Sequence, residues 1–418
     1  RADGSKKNTL LYLLDKTGTA MGGRLLRTWI DQPLQDPGDI DARLNAVDEL
    51  LSKPIQRQEL MTALDAIYDI ERLCSRIAYS TVHARDCDCL RHSLEKLPGV
   101  ITTLQGLKAN EFQRIHGTLD PMDDICTSAI IDNPPLSVKD GGIIRDGYNE
   151  DLDKYRDAAK NGKTWLARME AEEREKTGIK NLRISYNKVF GYYIEVRNSS
   201  KDKVPEEWIR KQTLVNAERY ITEELKNYEE KILGAEGRIY ELESKLYSDL
   251  VLYIGEFIRV IQENCRVVSQ IDVLQGFAQQ AVDKDYCRPV IDNSSVLDIK
   301  AGRHPVIESY MPVGQEYIPN DLYLDSKKEQ IMILTGPNMA GKSALLRQSA
   351  LIVLMGQIGS FVPAKSAHFG YFDKIFTRVG ASDNISRGES TFMVEMLETS
   401  MIMHNLSARS LVLLDEIG

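Results

Sequence analysis

The spacing of apolar residues changes character along the chain, and each change predicts a different kind of element. Within residues 1–150, Leu10, Leu11, Leu13 and Leu14, and then Leu25, Leu26 and Ile30, recur at helical spacing. Gly22-Gly23 and Gln32-Pro33 read as breakers between these helices. Asp39 offers an N-cap ahead of Leu44, Val47, Leu50 and Leu51. Asn133-Pro134-Pro135 and Asp140-Gly141-Gly142 mark loops.

In the middle of the chain the period tightens. Leu214, Ala217, Ile221, Leu225, Tyr228, Ile232, Ala235, Ile239, Leu242 and Leu246 step by three and four. That seam of about 3.5 residues predicts one long helix paired along its length. Leu152, Tyr155, Ala159, Leu166 and Met169 supply a partner running the other way. Between the two helices the pattern alternates instead. Leu182, Ile184 and Tyr186, then Tyr192, Ile194 and Val196, alternate with polar residues around Gly191, which predicts strands. The outcome is a helical arm with a small sheet at its tip.

From residue 296 the pattern becomes α/β. Ile331-Met332-Ile333-Leu334-Thr335 reads as a buried strand, then a Gly-rich loop, then a helix carrying Leu345, Leu346, Ala350 and Val353. Leu411-Val412-Leu413-Leu414 reads as a second buried strand. The predicted class is therefore multidomain: a mainly α-helical first part, a long helical arm tipped by a small β-sheet, and an α/β domain with a Gly-rich loop after its first strand.

Charge changes the picture only locally. The 418 residues carry a net charge of −9, with 42% hydrophobic and 28% charged residues, an ordinary globular composition. Residues 176–211 run against that total, with nine basic residues facing four acidic ones. Two readings stand for this stretch: a solvated surface, or a contact to a phosphate backbone through Lys188, Arg197, Lys201 and Lys211. The interleaved Tyr186, Phe190, Tyr192 and Tyr193 fit the second reading, and fit equally the tip's own core. No apolar run approaches the ~18 residues needed to span a bilayer. No secretory signal is visible in this sequence, and six cysteines make no disulfide scaffold, so a cytoplasmic protein without a membrane role is expected. Arg1 at the start, and Gly418 directly after a strand pattern, suggest a piece of a longer protein.

The sharpest chemistry lies in Gly336-Pro337-Asn338-Met339-Ala340-Gly341-Lys342-Ser343, which satisfies G-x-x-x-x-G-K-[ST] at each fixed position. Glycines let backbone N–H groups turn toward phosphate oxygens, and the helix that begins there adds its positive dipole end. Lys342 would reach the β- and γ-phosphates, and Ser343 would ligate Mg²⁺. Asp415, at the carboxyl end of the Leu411–Leu414 run, fits the Walker B role on that ion. Glu416 beside it is placed to orient or deprotonate a water attacking the γ-phosphate. ATP hydrolysis fits better than phosphoryl transfer, since no acceptor motif accompanies the pair. His83, Cys87, Cys89 and His92 lie close in sequence, but on a helix Cys89 turns about 200° from Cys87, so they read as ordinary helix residues. His304 reads as structural.

Taken together these residues resemble a family. Thr335-Gly336-Pro337-Asn338-Met339, Phe376-Thr377-Arg378-Val379-Gly380-Ala381, Ser390-Thr391-Phe392-Met393-Val394-Glu395-Met396 and Asp415-Glu416-Ile417-Gly418 look like the ATPase domain of MutS proteins of DNA mismatch repair. Phe190-Gly191-Tyr192-Tyr193-Ile194-Glu195-Val196 and Asn216-Ala217-Glu218-Arg219-Tyr220 resemble the clamp of bacterial members, and Leu13-Leu14-Asp15-Lys16-Thr17 with Met21-Gly22 resembles their opening. The resemblance implies a lever in 1–162 and 223–290, a DNA clamp in 163–222, and an ABC-type ATPase in 291–418 that stops after Walker B. It also implies ATP and Mg²⁺ as cofactors, homodimers with composite ATP sites, duplex DNA with mismatches or small loops as ligand, and a MutL-type repair partner. Ser390 matches the serine that reaches the partner subunit's nucleotide. Tyr317, before Ile318, stands where the family stacks an aromatic, usually Phe, on adenine. Ala340 and Ala344 replace the more usual Gly and Thr without removing a ligand. The family's mismatch-reading Phe-x-Glu is absent from this sequence, as are the family's segments beyond Walker B; the chain alone is expected to be a poor ATPase. A superfamily relative serving another DNA task, and an SMC-type structural coiled coil, are the alternative readings.

Overall fold

The computed structural model describes residues 7–109, 112, 127–137, 140–187, 191–312, 314–337, 340–379 and 391–415. The chain is mostly helical with small β-sheets, and divides into two compact units. One comprises Arg1–Cys74, His92–Thr118 and Arg259–Gly418; the other comprises Ser75–Arg91 and Leu119–Ile258. Among the described residues no helix is long and apolar enough to cross a membrane.

The chain opens with α1 (Leu10–Leu14), α2 (Ala20–Asp31), α3 (Pro37–Ser52) and α4 (Pro54–Asp65). Next come α5 (Ile70–Ala78) and α6 (Ala84–Leu104). Two expected boundaries shift. Asp36, not Asp39, caps α3: its carboxylate accepts from the backbone N–H of Gly38 and Asp39, and Pro37 occupies the first turn, where its missing donor costs nothing. Gly22-Gly23 does not break a helix but lies inside α2. A Cβ on Gly22 would collide with the carboxylate of Asp272, so this glycine is selected by close approach rather than by backbone freedom.

Asp272 is fully buried on the long helix Ile258–Lys284. Its carboxylate accepts from Gly18 N at 2.9 Å, Thr19 N at 2.8 Å and Thr19 Oγ1 at 2.6 Å, and Thr19 in turn caps α2. Burial pushes its carboxyl up to about 6, opposed by those hydrogen bonds. Trp29 packs on Phe277 of the same long helix, with Arg43 stacked 3.4 Å over the Trp29 ring.

In the second unit the arm appears as the alternation predicted. α7 (Glu150–Thr177) and α8 (Glu223–Glu256) pack together, with Trp165 and Tyr228 stacked at 3.6 Å. Between them β1 (Arg183–Asn187), β2 (Gly191–Arg197), β3 (Ile209–Thr213) and β4 (Ala217–Ile221) form an antiparallel sheet in the order β1-β2-β4-β3. Leu166, Met169, Leu182, Ile194, Val196, Trp208, Tyr220 and Leu225 make its core. The helix seam is shorter than its period suggested. Leu214 lies in the β3–β4 turn, and Ala217 and Ile221 lie on β4, because Thr222 stops the strand and caps α8 by accepting from Leu225 N. Nearer the base, buried Glu243 accepts from the backbone N–H of Gly142, Ile143 and Ile144 and pairs with Arg156 at 2.7 Å.

α9 (Ile258–Lys284) returns the chain to the first unit, where β5 (Val290–Asp292), β6 (Val296–Gly302), β7 (Asn320–Asp325) and β8 (Ser366–Gly370) form a sheet in the order β5-β8-β6-β7. α10 (Pro305–Tyr310) begins at His304, whose Nδ1 accepts from Ile307 N at 3.2 Å, so His304 is a helix cap. α11 (Lys342–Gln357) packs against β10 (Ser410–Asp415), which pairs in parallel with β9 (Lys374–Val379); α12 (Thr391–His404) lies against β9.

One expectation fails here. Residues 331–335 form no strand, and Ile331 and Ile333 are 83% and 82% exposed. An apolar run encodes a wish for burial, but a strand exists only where its backbone groups pair with a neighbour, and among the described residues no sheet includes a strand from 331–335.

Replacing Asp272 by Asn points an amide at donors that need acceptors. The Asp272→Asn chain should lose about 2–4 kcal/mol of stability in denaturant titrations. The sign of its pH dependence comes from burial. A carboxyl at about 6 in the fold, above its ordinary range, contributes most at low pH and loses that contribution as pH rises through 6. The stability gap between the wild type and Asp272→Asn should therefore be wider at about pH 5 than at about pH 7.5.

Candidate functional site

The phosphate-loop sequence ends where α11 begins. Gly341 is the N-cap residue, with φ 91°, a left-handed backbone that any residue with a Cβ enters only under strain. No side chain caps this helix. Its first backbone N–H groups and positive dipole end therefore lack a side-chain acceptor, the arrangement that binds anions. Lys342 folds back over the loop, its Nζ donating to Gly336 O at 2.8 Å. Ala340 N donates to Pro337 O at 3.3 Å and closes the turn. Pro337, Ala340 and Gly341 are exposed and Ser343 is half-buried. Asn338 and Met339 lie outside the described residues.

Asp415 is the last residue of β10, buried, and in register with Val379 of β9. A serine hydroxyl and a carboxylate are hard oxygen donors, of the kind that suits Mg²⁺ rather than a thiophilic metal. Glu416 and Ser390 lie outside the described residues.

Tyr317 is half-buried, and its hydroxyl donates to Gln348 Oε1 on α11 at 3.0 Å; burial pushes its phenol above the usual range. Ile318 beside it is exposed, and its carbonyl accepts from Asn320 Nδ2 at 2.9 Å. The far end of α11 is held as well. Gln357 Nε2 donates to Leu34 O at 2.8 Å and Phe372 O at 2.9 Å, and its Oε1 accepts from Phe372 N at 3.0 Å. Leu34 N donates to Gln357 O at 3.1 Å, and Arg43 Nη1 donates to Ile358 O at 3.1 Å.

Two separate sequence motifs are joined by an ion pair. Arg378 on β9 is buried and pairs with Glu395 at 3.7 Å and Glu398 at 3.0 Å on α12. The motifs contain Arg378 and Glu395 without giving either a partner, because an ion pair between separate segments leaves no local period. Gln348 and Gln357 escape sequence reasoning for the same reason: a buried glutamine in an apolar helix pattern is simply a polar interruption.

On the arm, Arg197, Lys201 and Lys211 are exposed and form no ion pair among the described residues. Lys180, Arg183 and Lys203 are likewise exposed with no ion pair among the described residues, whereas Lys176 pairs with Glu173, Arg210 with Glu218, and Arg219 with Glu195 and the Tyr193 ring. Lys188 and Phe190 lie outside the described residues. The aromatics divide, with Tyr193 buried, Tyr192 half-buried, and Tyr186 exposed against Tyr192. On α6, Cys87 is buried, 3.9 Å from the Tyr247 hydroxyl, and His92 pairs with Glu95.

Comparison with known proteins yields two family-model matches and several relatives. Residues 1–278 match the family model described as MutS domain III, and residues 332–418 match that described as MutS domain V. The DNA mismatch repair protein MutS of Bacteroides fragilis is 52% identical over 414 residues, covering 98% of this chain and 48% of its own length. That of Desulforamulus reducens is 49% identical across 100% of this chain and 48% of its own. That of Clostridium botulinum strain Langeland is 50% identical across 99% of this chain and 45% of its own. The chain thus spans about half the length of these relatives. With one family model covering more than half of the chain, the chain belongs to the MutS family.

Proposed function

We propose that the chain is the lever, clamp and nucleotide-binding part of a DNA mismatch repair ATPase. The observation that carries this reading is the uncapped N-terminus of α11, with Lys342 folded over its loop and α11 packed on the strand that ends in Asp415. Residues 1–162 and 223–290 serve as lever, 163–222 as clamp, and 291–418 as an ABC-type P-loop ATPase domain. Gly336 to Ser343 cradle the phosphates of ATP, with Lys342 as the cation on them. Ser343 and Asp415 hold Mg²⁺, which when bound neutralises phosphate charge. Glu416 orients the attacking water, Tyr317 stacks on adenine beside Ile318, and Ser390 reaches across a homodimer to the other subunit's nucleotide. The ligand is duplex DNA with mismatches or small loops, and the downstream partner is of the MutL type, in the cytoplasm.

Removing the Lys342 ammonium deletes a charge-assisted contact worth roughly 1.5–3 kcal/mol. Calorimetric ATP affinity should fall at least tenfold in Lys342→Ala; an unchanged affinity would rule this loop out as the nucleotide site.

The clamp is proposed to hold DNA by phosphate contacts rather than base reading. Its support is that Arg197, Lys201 and Lys211 are among the exposed basic residues that the arm's own acids leave uncommitted, with Lys188 added from the sequence. Each true phosphate contact removed should lower the slope of log K against log salt by about 0.9. Replacing the four by Gln should flatten that slope and weaken matched and mismatched duplexes alike; a slope that stays put would sink the clamp assignment.

A further inference from the structure

Tyr317 reaches α11 through a single side chain. Gln348 is fully buried on the inner face of that helix, and its one described polar partner is the Tyr317 hydroxyl at 3.0 Å. The amide fits there because Gly302, at the end of β6, has no side chain. A Cβ on Gly302 would stand 2.7 Å from Gln348 Nε2 and 2.8 Å from Ile299 Cγ2. The β6–β7 ladder is irregular at that point, with Ala301 at φ 49° and its N–H donating to Asp321 Oδ1 at 2.7 Å. β-Bulges often re-aim the chain beside functional sites. A second anchor, Asn320 Nδ2 on Ile318 O, ties the other side of the Tyr317 loop to β7.

The position of Gln348 on the helix matters. It lies six residues beyond Lys342, which places it about 9 Å along the axis from the end that faces the phosphate loop. That is comparable to the span from a purine base to its β-phosphate. On the nucleotide reading of this loop the helix would serve as a ruler, with phosphate at its first turn and its second turn holding the ring for the base. A phenylalanine at position 317 would offer the same face but nothing for Gln348 to hold.

We propose that Gln348 is a positioning residue of the nucleotide site, fixing the Tyr317 ring at a set distance from the phosphate loop so that the site selects a purine nucleotide over bare polyphosphate. The inference rests on the nucleotide reading of this loop. Its contribution is specific to the base, because Gln348 lies too far along α11 to touch phosphate.

The test is calorimetric titration of Mg-ADP and of Mg-tripolyphosphate, which carries no base, into the wild-type chain, Gln348→Met, Tyr317→Phe and the double variant. Met keeps the length and flexibility of Gln while removing the acceptor. Each single variant should lose ADP affinity by about fivefold, the worth of one neutral hydrogen bond. The double variant should lose no more than either single one, and tripolyphosphate affinity should stay level throughout. Equal loss of ADP and tripolyphosphate in Gln348→Met overturns the inference, because α11 itself would then have moved. So does a double variant whose loss is the product of the two. Tyr317→Phe leaves the helix untouched, so intact ADP affinity in that variant overturns the inference even where Gln348→Met folds poorly. A wild-type chain that binds neither ligand overturns the nucleotide reading as a whole. Binding of both by the wild type, with ADP affinity intact in Gln348→Met, overturns this inference alone.

Discussion

Gln357 is the joint on which the first unit is built. One buried amide uses both its donor and its acceptor to hold the carbonyl of Leu34 and both backbone groups of Phe372, while its own carbonyl takes the N–H of Leu34. An amide buried without these partners would cost several kcal/mol, so the three segments it touches can be packed only together. Those segments are the loop between α2 and α3, the C-terminal end of α11, and the chain entering β9. Arg43 adds a second fastening at Ile358 while stacking on Trp29. Held at this end, α11 presents its other end, with Gly341 and Lys342, as a terminus without a side-chain cap. Its position is thereby tied to the opening helices as well as to the sheet beside it.

That arrangement also orders the surroundings of Asp415. β10 is fixed by β9 along six register pairs, and β9 carries Arg378, whose guanidinium is buried against two carboxylates of α12. A buried guanidinium persists only where its charge is paired. The Arg378 cluster therefore holds α12 to the sheet and keeps the carboxyl end of β10 in place. Gly302 and Gln348 in turn set the loop that carries Tyr317.

The arm obeys a different logic. Its tip is a small domain with its own core, sealed by Trp208, Tyr220 and Leu225 and joined to the hairpin by the Trp165–Tyr228 stack. Acids on its sheet are spent on neighbouring bases, as Glu195 is on Arg219 and Glu218 on Arg210. The exposed bases that remain give the tip a positive surface within an acidic chain. Such a surface is suited to a phosphate backbone, whose charge is uniform along its length.

What the sequence determined was local. Period and alternation identified the arm helices, the β1 and β2 strands and the β10 strand, because burial on one face imposes a spacing that any reader of the chain can measure. The G-x-x-x-x-G-K-[ST] spacing located the loop, since the backbone dihedral at Gly341 and the charge at Lys342 are properties of single residues. Where a local signal was ambiguous it misled. Gly22 reads as a breaker although its meaning is a contact with Asp272, far along the chain. Leu214 and Ile221 fit a helix period although they lie beside or on a strand. The apolar run at 331–335 announces a strand that pairs with nothing among the described residues. Only the tertiary structure decided those, together with the roles of Gln348, Gln357 and Arg378. Each of these works through partners distant in sequence, and a contact between distant segments leaves no period along the chain.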